Sequence, residues 1–175
     1  MPSERSLFRK VQTVVEVAKT VKVSTLEELC QEIKGLGPTM FNTSRYVAER
    51  DAFVTDISLE AIKRAVAFCR FLGLLSEEGG LTVHGRDAAR KSRFGAVLGE
   101  QARLMLGRAG VKLGAVNSVI RGKLHADPPV LPTSDVLWDE LQPTMSRGTF
   151  SKMLTLLIHC ECGRSSQKKV YLGFS

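Results

Sequence analysis

The chain lacks any long apolar run. Hydrophobic residues make up 43% of its 175 positions, yet a charged or polar residue interrupts every stretch after a few. A membrane-spanning helix needs roughly 20 consecutive apolar residues, so none is expected. The first twenty positions carry Arg5, Arg9, Lys10, Glu16 and Lys19 among the apolar ones, which does not suit a secretory leader. Cysteine is sparse: Cys30, Cys69, Cys160 and Cys162 form no CxxC pair, and without an export signal they are expected to be reduced thiols in a cytoplasmic, nucleoid-associated protein. Catalytic signatures are missing too. The sequence has no Gly-x-x-x-x-Gly-Lys-Ser/Thr loop, no Gly-x-Ser-x-Gly and no His-Glu-x-x-His, and its three histidines are scattered. A non-enzymatic protein without a cofactor is expected.

Acidic residues are in deficit. Lys and Arg number 25 against 18 Asp and Glu, a formal charge of +7, which points to a polyanionic partner, most commonly nucleic acid. The excess sits late in the chain: residues 1–92 hold fourteen cations against twelve anions, residues 93–175 eleven against six.

Apolar spacing of three and four residues predicts a helix over 6–21, through Leu7, Val11, Val14, Val15, Ala18 and Val21. Ser24 and Glu27 form a capping box for a second helix from about residue 25, which Gly35, Gly37 and Pro38 end. The stretch 39–57 is ambiguous, with a short helix between loops expected around NTSRYVAERDAF. Ser58 caps a third helix that buries Leu59, Ile62, Val66, Cys69 and Leu72, and LLSEEGGLTV after it reads as a hairpin. Residues 85–110 read as one connecting helix and 111–124 as another, and the prolines of 125–132 make a linker. TSDVLWDEL then makes a short helix buried through Val136, Leu137 and Leu141. QPTM is a turn, and 146–158 is a helix with a core stripe of Phe150, Met153, Leu154, Leu157 and Ile158. HCEC and KVYLGF alternate as the strands of a closing hairpin around GRSSQK.

Helix, helix, longer helix, hairpin is thus written twice without residue identity between the halves. That order resembles the winged helix-turn-helix superfamily over most of the chain. The resemblance implies a mainly α fold with short β-hairpin wings, arranged as two tandem winged-helix domains at 1–92 and 93–175. It also implies DNA binding, RNA binding or protein docking as the work of such domains.

Candidate contacts follow from residue type. The helix at 146–158 offers Arg147, Thr149, Ser151, Lys152 and Thr155 without an acidic neighbour, the donors a recognition helix needs in a major groove. Its hairpin tip, with Arg164, Ser165, Ser166, Lys168 and Lys169, suits phosphate oxygens. In the first half Lys63 and Arg64 lie on the third helix, and Arg86, Arg90 and Arg93 would share one face of the connecting helix. Arg70 accompanies them, but the first wing tip is Glu77-Glu78, which repels phosphate, so that half is expected either to hold its wing off DNA or to dock protein. Metal binding by His159, Cys160 and Cys162 is disfavoured, because in a strand the two thiols face one side and the imidazole the other. Trp138 is expected in the core. The reading is a double-stranded DNA-binding protein acting chiefly through its second half, as a transcription regulator or a recognition subunit, with a homodimer through the first helix as an option. The alternative is an interaction subunit similar to the tandem winged-helix proteins of chromosome-structuring complexes.

Overall fold

The computed structural model describes residues 4–161. These are mainly helical, with eight α-helices and one two-stranded antiparallel ribbon. The chain divides into two compact units, Met1–Phe94 and Gly95–Ser175.

The first unit is built on three helices. Helix α1 (Glu4–Thr20) buries Leu7, Val11, Val14, Val15 and Ala18 of the expected stripe, and Val17 as well, while Val21 lies beyond its end and is half-buried. Helix α2 (Leu26–Gly35) turns Leu29, Cys30 and Ile33 inward. Its cap lies one residue later than expected. The hydroxyl of Thr25 accepts the Glu28 N–H at 3.1 Å, and the Glu28 carboxylate accepts the Ser24 N–H at 2.8 Å. Both Ser24-x-x-Glu27 and Thr25-x-x-Glu28 satisfy the capping pattern, and the structure uses the second.

The ambiguous stretch is not a short helix between loops. A 3-10 turn (Thr39–Phe41) leads into strand β1 (Asn42–Val47), and a second one (Ala48–Arg50) connects it to β2 (Ala52–Ile57). The strands pair in register from Asn42 opposite Ile57 to Val47 opposite Ala52. Asp51 takes a left-handed conformation at the turn (φ 45°), one of the few roles in which a non-glycine residue does so readily. Most of the ribbon is exposed on both faces, and so its sequence lacks apolar alternation.

Helix α3 (Leu59–Phe71) starts where expected, with the Ser58 hydroxyl accepting the Ala61 N–H at 3.1 Å. It buries Ile62, Ala65, Val66, Phe68 and Cys69 against α1 and α2. It ends in a Schellman motif: Gly73 is left-handed (φ 75°) and Leu74 N–H reaches the Cys69 carbonyl at 3.0 Å. The predicted hairpin is reduced to a single bridge, Leu75 opposite Leu81, around the turn Ser76–Gly80. The turn exposes Glu77 and Glu78 but is anchored at Gly79. Gly79 is buried, and a Cβ there would meet Val23 Cγ2 at 3.0 Å and the Thr25 carbonyl at 3.2 Å.

The single connecting helix expected over 85–110 is two helices, α4 (Val83–Ala88) and α5 (Phe94–Arg108). Residues 89–93 form turns between them. Like charges at 86 and 90 disfavour a continuous helix face, Arg93 folds back onto Asp87 at 3.2 Å, and Phe94 packs edge-on against Phe8 with ring centroids 4.7 Å apart.

In the second unit, α5 ends at a left-handed Gly110 (φ 82°), followed by α6 (Leu113–Leu124), which buries Val116 and Ile120. Thr133 caps α7 (Ser134–Leu141), whose Leu137 is buried while Val136 and Leu141 are half-buried. Ser146 caps α8 (Arg147–Glu161), accepting the Thr149 N–H at 3.2 Å. Helix α8 buries Phe150, Met153, Leu154, Leu156 and Leu157. It continues through His159 and Cys160, so residues 159–161 are helical rather than the first strand of a hairpin. After Gly148 no Gly or Pro occurs before Gly163. The remainder of that hairpin lies outside the described residues.

Gly85 is the tightest position in the first unit: a Cβ there would stand 2.0 Å from the Leu74 carbonyl oxygen. Gly85→Ala is expected to destabilise by about 3 kcal/mol, since backbone must move. Gly107, on α5 with open space around it, is expected to gain about 0.5–1 kcal/mol on substitution by Ala. Urea denaturation of both variants checks the contrast, and equal effects would contradict the packing described.

Candidate nucleic-acid interface

Arg147 stands at the first turn of α8 with its charge already matched. Its guanidinium meets Asp139 at 2.5 Å and Asp135 at 3.6 Å, both on α7, and lies over the Trp138 ring at 4.5 Å from the centroid. The indole N–H donates to the Met145 carbonyl at 2.9 Å, and Trp138 is half-buried. Arg147 therefore ties α7 to α8, and reading a base would require breaking these pairs. The acidic partners were invisible from α8 alone because they come from the preceding helix.

Further along α8, Thr149, Ser151, Lys152 and Thr155 are half-buried. The Thr149 hydroxyl accepts from Ser146 at 2.9 Å, and that of Thr155 donates to the Ser151 carbonyl at 2.9 Å. These four share the expected helix, with less solvent exposure than an open reading face. Arg164, Ser165, Ser166, Lys168 and Lys169 lie outside the described residues. His159 and Cys160 are half-buried on α8, and no group of three potential metal ligands occurs among the described residues.

In the first unit, Glu60, Lys63, Arg64, Ala67, Arg70 and Phe71 form one exposed stripe along α3. Lys63 is 3.9 Å from Glu60, a loose exposed pair of little energetic consequence. Arg70 is held by Glu77 at 2.8 Å. Arg64 makes no ion pair among the described residues. Beside this stripe, α2 and α3 frame a groove of about 690 Å³ with Leu26, Cys30, Val66 and Phe71 in its lining and Glu27, Lys63, Arg70 and Glu77 supplying balanced charge. Burial pushes the Cys30 and Cys69 thiols up, so both stay protonated at neutral pH.

Arg86, Arg90 and Arg93 are not aligned on one helix. Arg86 belongs to α4 and donates to the Leu81 carbonyl at 3.0 Å, Arg90 lies in the following turn, and Arg93 pairs with Asp87. Arg86 and Arg90 do come together, but with two residues that periodicity did not single out. They line a groove of about 500 Å³ with Lys19 in the last turn of α1 and Lys22 just beyond it, over Ala18, Val21, Leu81 and Ala89.

The ribbon is the other feature missed. One face carries Asn42, Ser44, Tyr46, Phe53 and Thr55 without a charge. Tyr46 and Phe53 are 54% and 75% exposed and meet edge to face at 5.5 Å. The Tyr46 hydroxyl donates to the Asp51 carboxylate, which holds the phenol above its ordinary value. The ribbon's Arg45 and Arg50 are outnumbered by Glu49, Asp51 and Asp56, so it does not favour phosphate.

Two measurements check this geometry. In a Tyr171→Phe background, Tyr46 should ionise at higher pH than a free tyrosine, and Asp51→Asn should bring the transition back; an unchanged titration would mean the hydrogen bond is not formed in solution. Arg147→Ala should shift the fluorescence of Trp138, the single tryptophan, and cost about 1 kcal/mol, a value kept small because the pairs are half exposed.

Compared with family models, curated proteins and solved structures, the chain matches none.

Proposed function

We propose that the two units are winged-helix domains in tandem and that the chain is a non-enzymatic protein binding double-stranded DNA, as a transcription regulator or as the recognition subunit of a larger assembly. The observation that carries the reading is the first unit's build. Three helices pack together, the third is followed by a tight bridged turn, and its outer stripe presents Lys63 and Arg64. A helix on the outside of such a core is what enters a major groove. In the second unit α7, the turn and α8 supply the equivalent pair, with Thr149, Ser151, Lys152 and Thr155 as its contacts; the basic 164–169 stretch lies outside the described residues. Arg147 acts there as a clamp between the two helices. No described helix is long and apolar enough to cross a membrane, and a place on the nucleoid fits the reading.

A second reading has its own support. The α2–α3 groove has apolar lining residues and balanced charge, and the ribbon exposes an uncharged aromatic face. Surfaces of that kind suit protein partners better than phosphate. The first unit would then dock onto another chain while DNA contact is secondary.

Fluorescence anisotropy on a labelled random duplex, repeated over a range of salt concentrations, separates the two. DNA binding predicts an affinity that falls steeply and linearly on a log–log plot of salt. Lys63→Gln with Arg64→Gln should weaken it further. Absence of binding at low salt would leave the docking reading in its place.

A further inference from the structure

We infer that the groove between the end of α1 and the α4 region is a seat for the phosphodiester backbone of nucleic acid; this rests on the DNA-binding reading and locates its main electrostatic contact in the first unit. Four cations line it, Lys19, Lys22, Arg86 and Arg90, and no acidic residue does. All four are exposed, and none forms an ion pair among the described residues. The one side-chain hydrogen bond among them, from Arg86 to the Leu81 carbonyl at 3.0 Å, orients a guanidinium without neutralising it.

The acids on the same elements are turned to other work. Asp87 is occupied by Arg93 at 3.2 Å. Glu16, one turn before Lys19, lines a separate shallow depression with Gln12, Lys91 and Phe94. Lys19 also stands in the last turn of α1, where a cation offsets the negative end of the helix dipole. Arg86 likewise stands in the last turn of α4, a helix of only six residues; that role leaves Lys22 and Arg90 unexplained, and none of the four has a carboxylate partner among the described residues.

Gathering four like charges is unfavourable without a counter-charge, and the helix-end positions of Lys19 and Arg86 and the Arg86 hydrogen bond bring no carboxylate to offset it. A polyanion is the complement. The groove offers no aromatic ring for base stacking and no amide or hydroxyl side chain for base edges, which selects the backbone over the bases.

The test uses the full chain and two charge-matched double variants. Lys22→Gln with Arg90→Gln removes two groove cations that make no side-chain hydrogen bond among the described residues; Arg45→Gln with Arg50→Gln removes two from the ribbon. Anisotropy on a random duplex should show the groove variant weakened about tenfold, with its salt slope reduced by about two, and the ribbon variant unchanged. Thermal melts confirm that both fold. Equal losses in the two variants, or none in either, would overturn the groove as the seat while leaving DNA binding intact. If the native chain fails to bind duplex at low salt, the DNA reading fails; inorganic polyphosphate is then the second probe. Binding of polyphosphate that depends on Lys22 and Arg90 would keep a phosphate seat but overturn nucleic acid as its ligand, and no dependence would overturn the seat as well.

Discussion

The Leu74 carbonyl is the pivot of the first unit. Thr82 donates its N–H to that oxygen at 3.1 Å, and Gly85 approaches so closely that no side chain fits between them. Thr82 also hydrogen-bonds the Gly73 carbonyl through its hydroxyl at 2.5 Å and caps α4 by accepting from Gly85 at 3.1 Å. The end of α3, the bridged turn and the start of α4 are thereby locked into one corner. Because α4 is only six residues long, it would be marginal alone. The corner helps hold it where Arg86, and Arg90 in the turn that follows, line a groove with Lys19 and Lys22.

Charge is disposed differently in the two units. In the second, Arg147 is taken up by Asp135 and Asp139, and Lys123 by Glu140 at 2.5 Å. In the first, the ion pairs sit on α3 and beside α4, leaving the groove cations unmatched. The net charge of +7 belongs to both units, but net charge alone says little about where a polyanion would sit. A surface gains a direction where cations gather without a carboxylate, as Lys19, Lys22, Arg86 and Arg90 do in the groove.

Sequence pattern read the helices of the first unit well because their buried positions recur at helical spacing and their caps are local. Ser58 is one case, legible from a single hydroxyl before an apolar run. It failed where the deciding contacts are distant or absent. The ribbon at 42–57 is solvated on most of both faces, so it carries no alternation, and Asp51 rather than glycine makes its turn. The break between α4 and α5 is accompanied by Phe94 meeting Phe8, a partner 86 positions away in the sequence. At the candidate site, Arg86 and Arg90 were legible as a basic cluster. Lys19 and Lys22 were not, since at the end of an amphipathic helix they look like ordinary solvated charges. The carboxylates that neutralise Arg147 lie on another helix and are invisible to a reading of α8 by itself.

On the proposed reading the first unit divides positioning from recognition. The groove holds cations over a floor of Ala18, Val21, Leu81 and Ala89, side chains that cannot distinguish bases. The α3 stripe has Lys63 and Arg64, long donors able to reach base edges, but with Glu60 on the same stripe. Phosphate contacts fix register without carrying sequence information, so affinity would come mainly from the groove and any sequence preference from α3 or α8. The acidic Glu77 does not work against this arrangement. Its carboxylate is paired with Arg70 at 2.8 Å, so on this reading part of the acidic tip's charge is already met within the first unit, although Glu77 and Glu78 remain exposed.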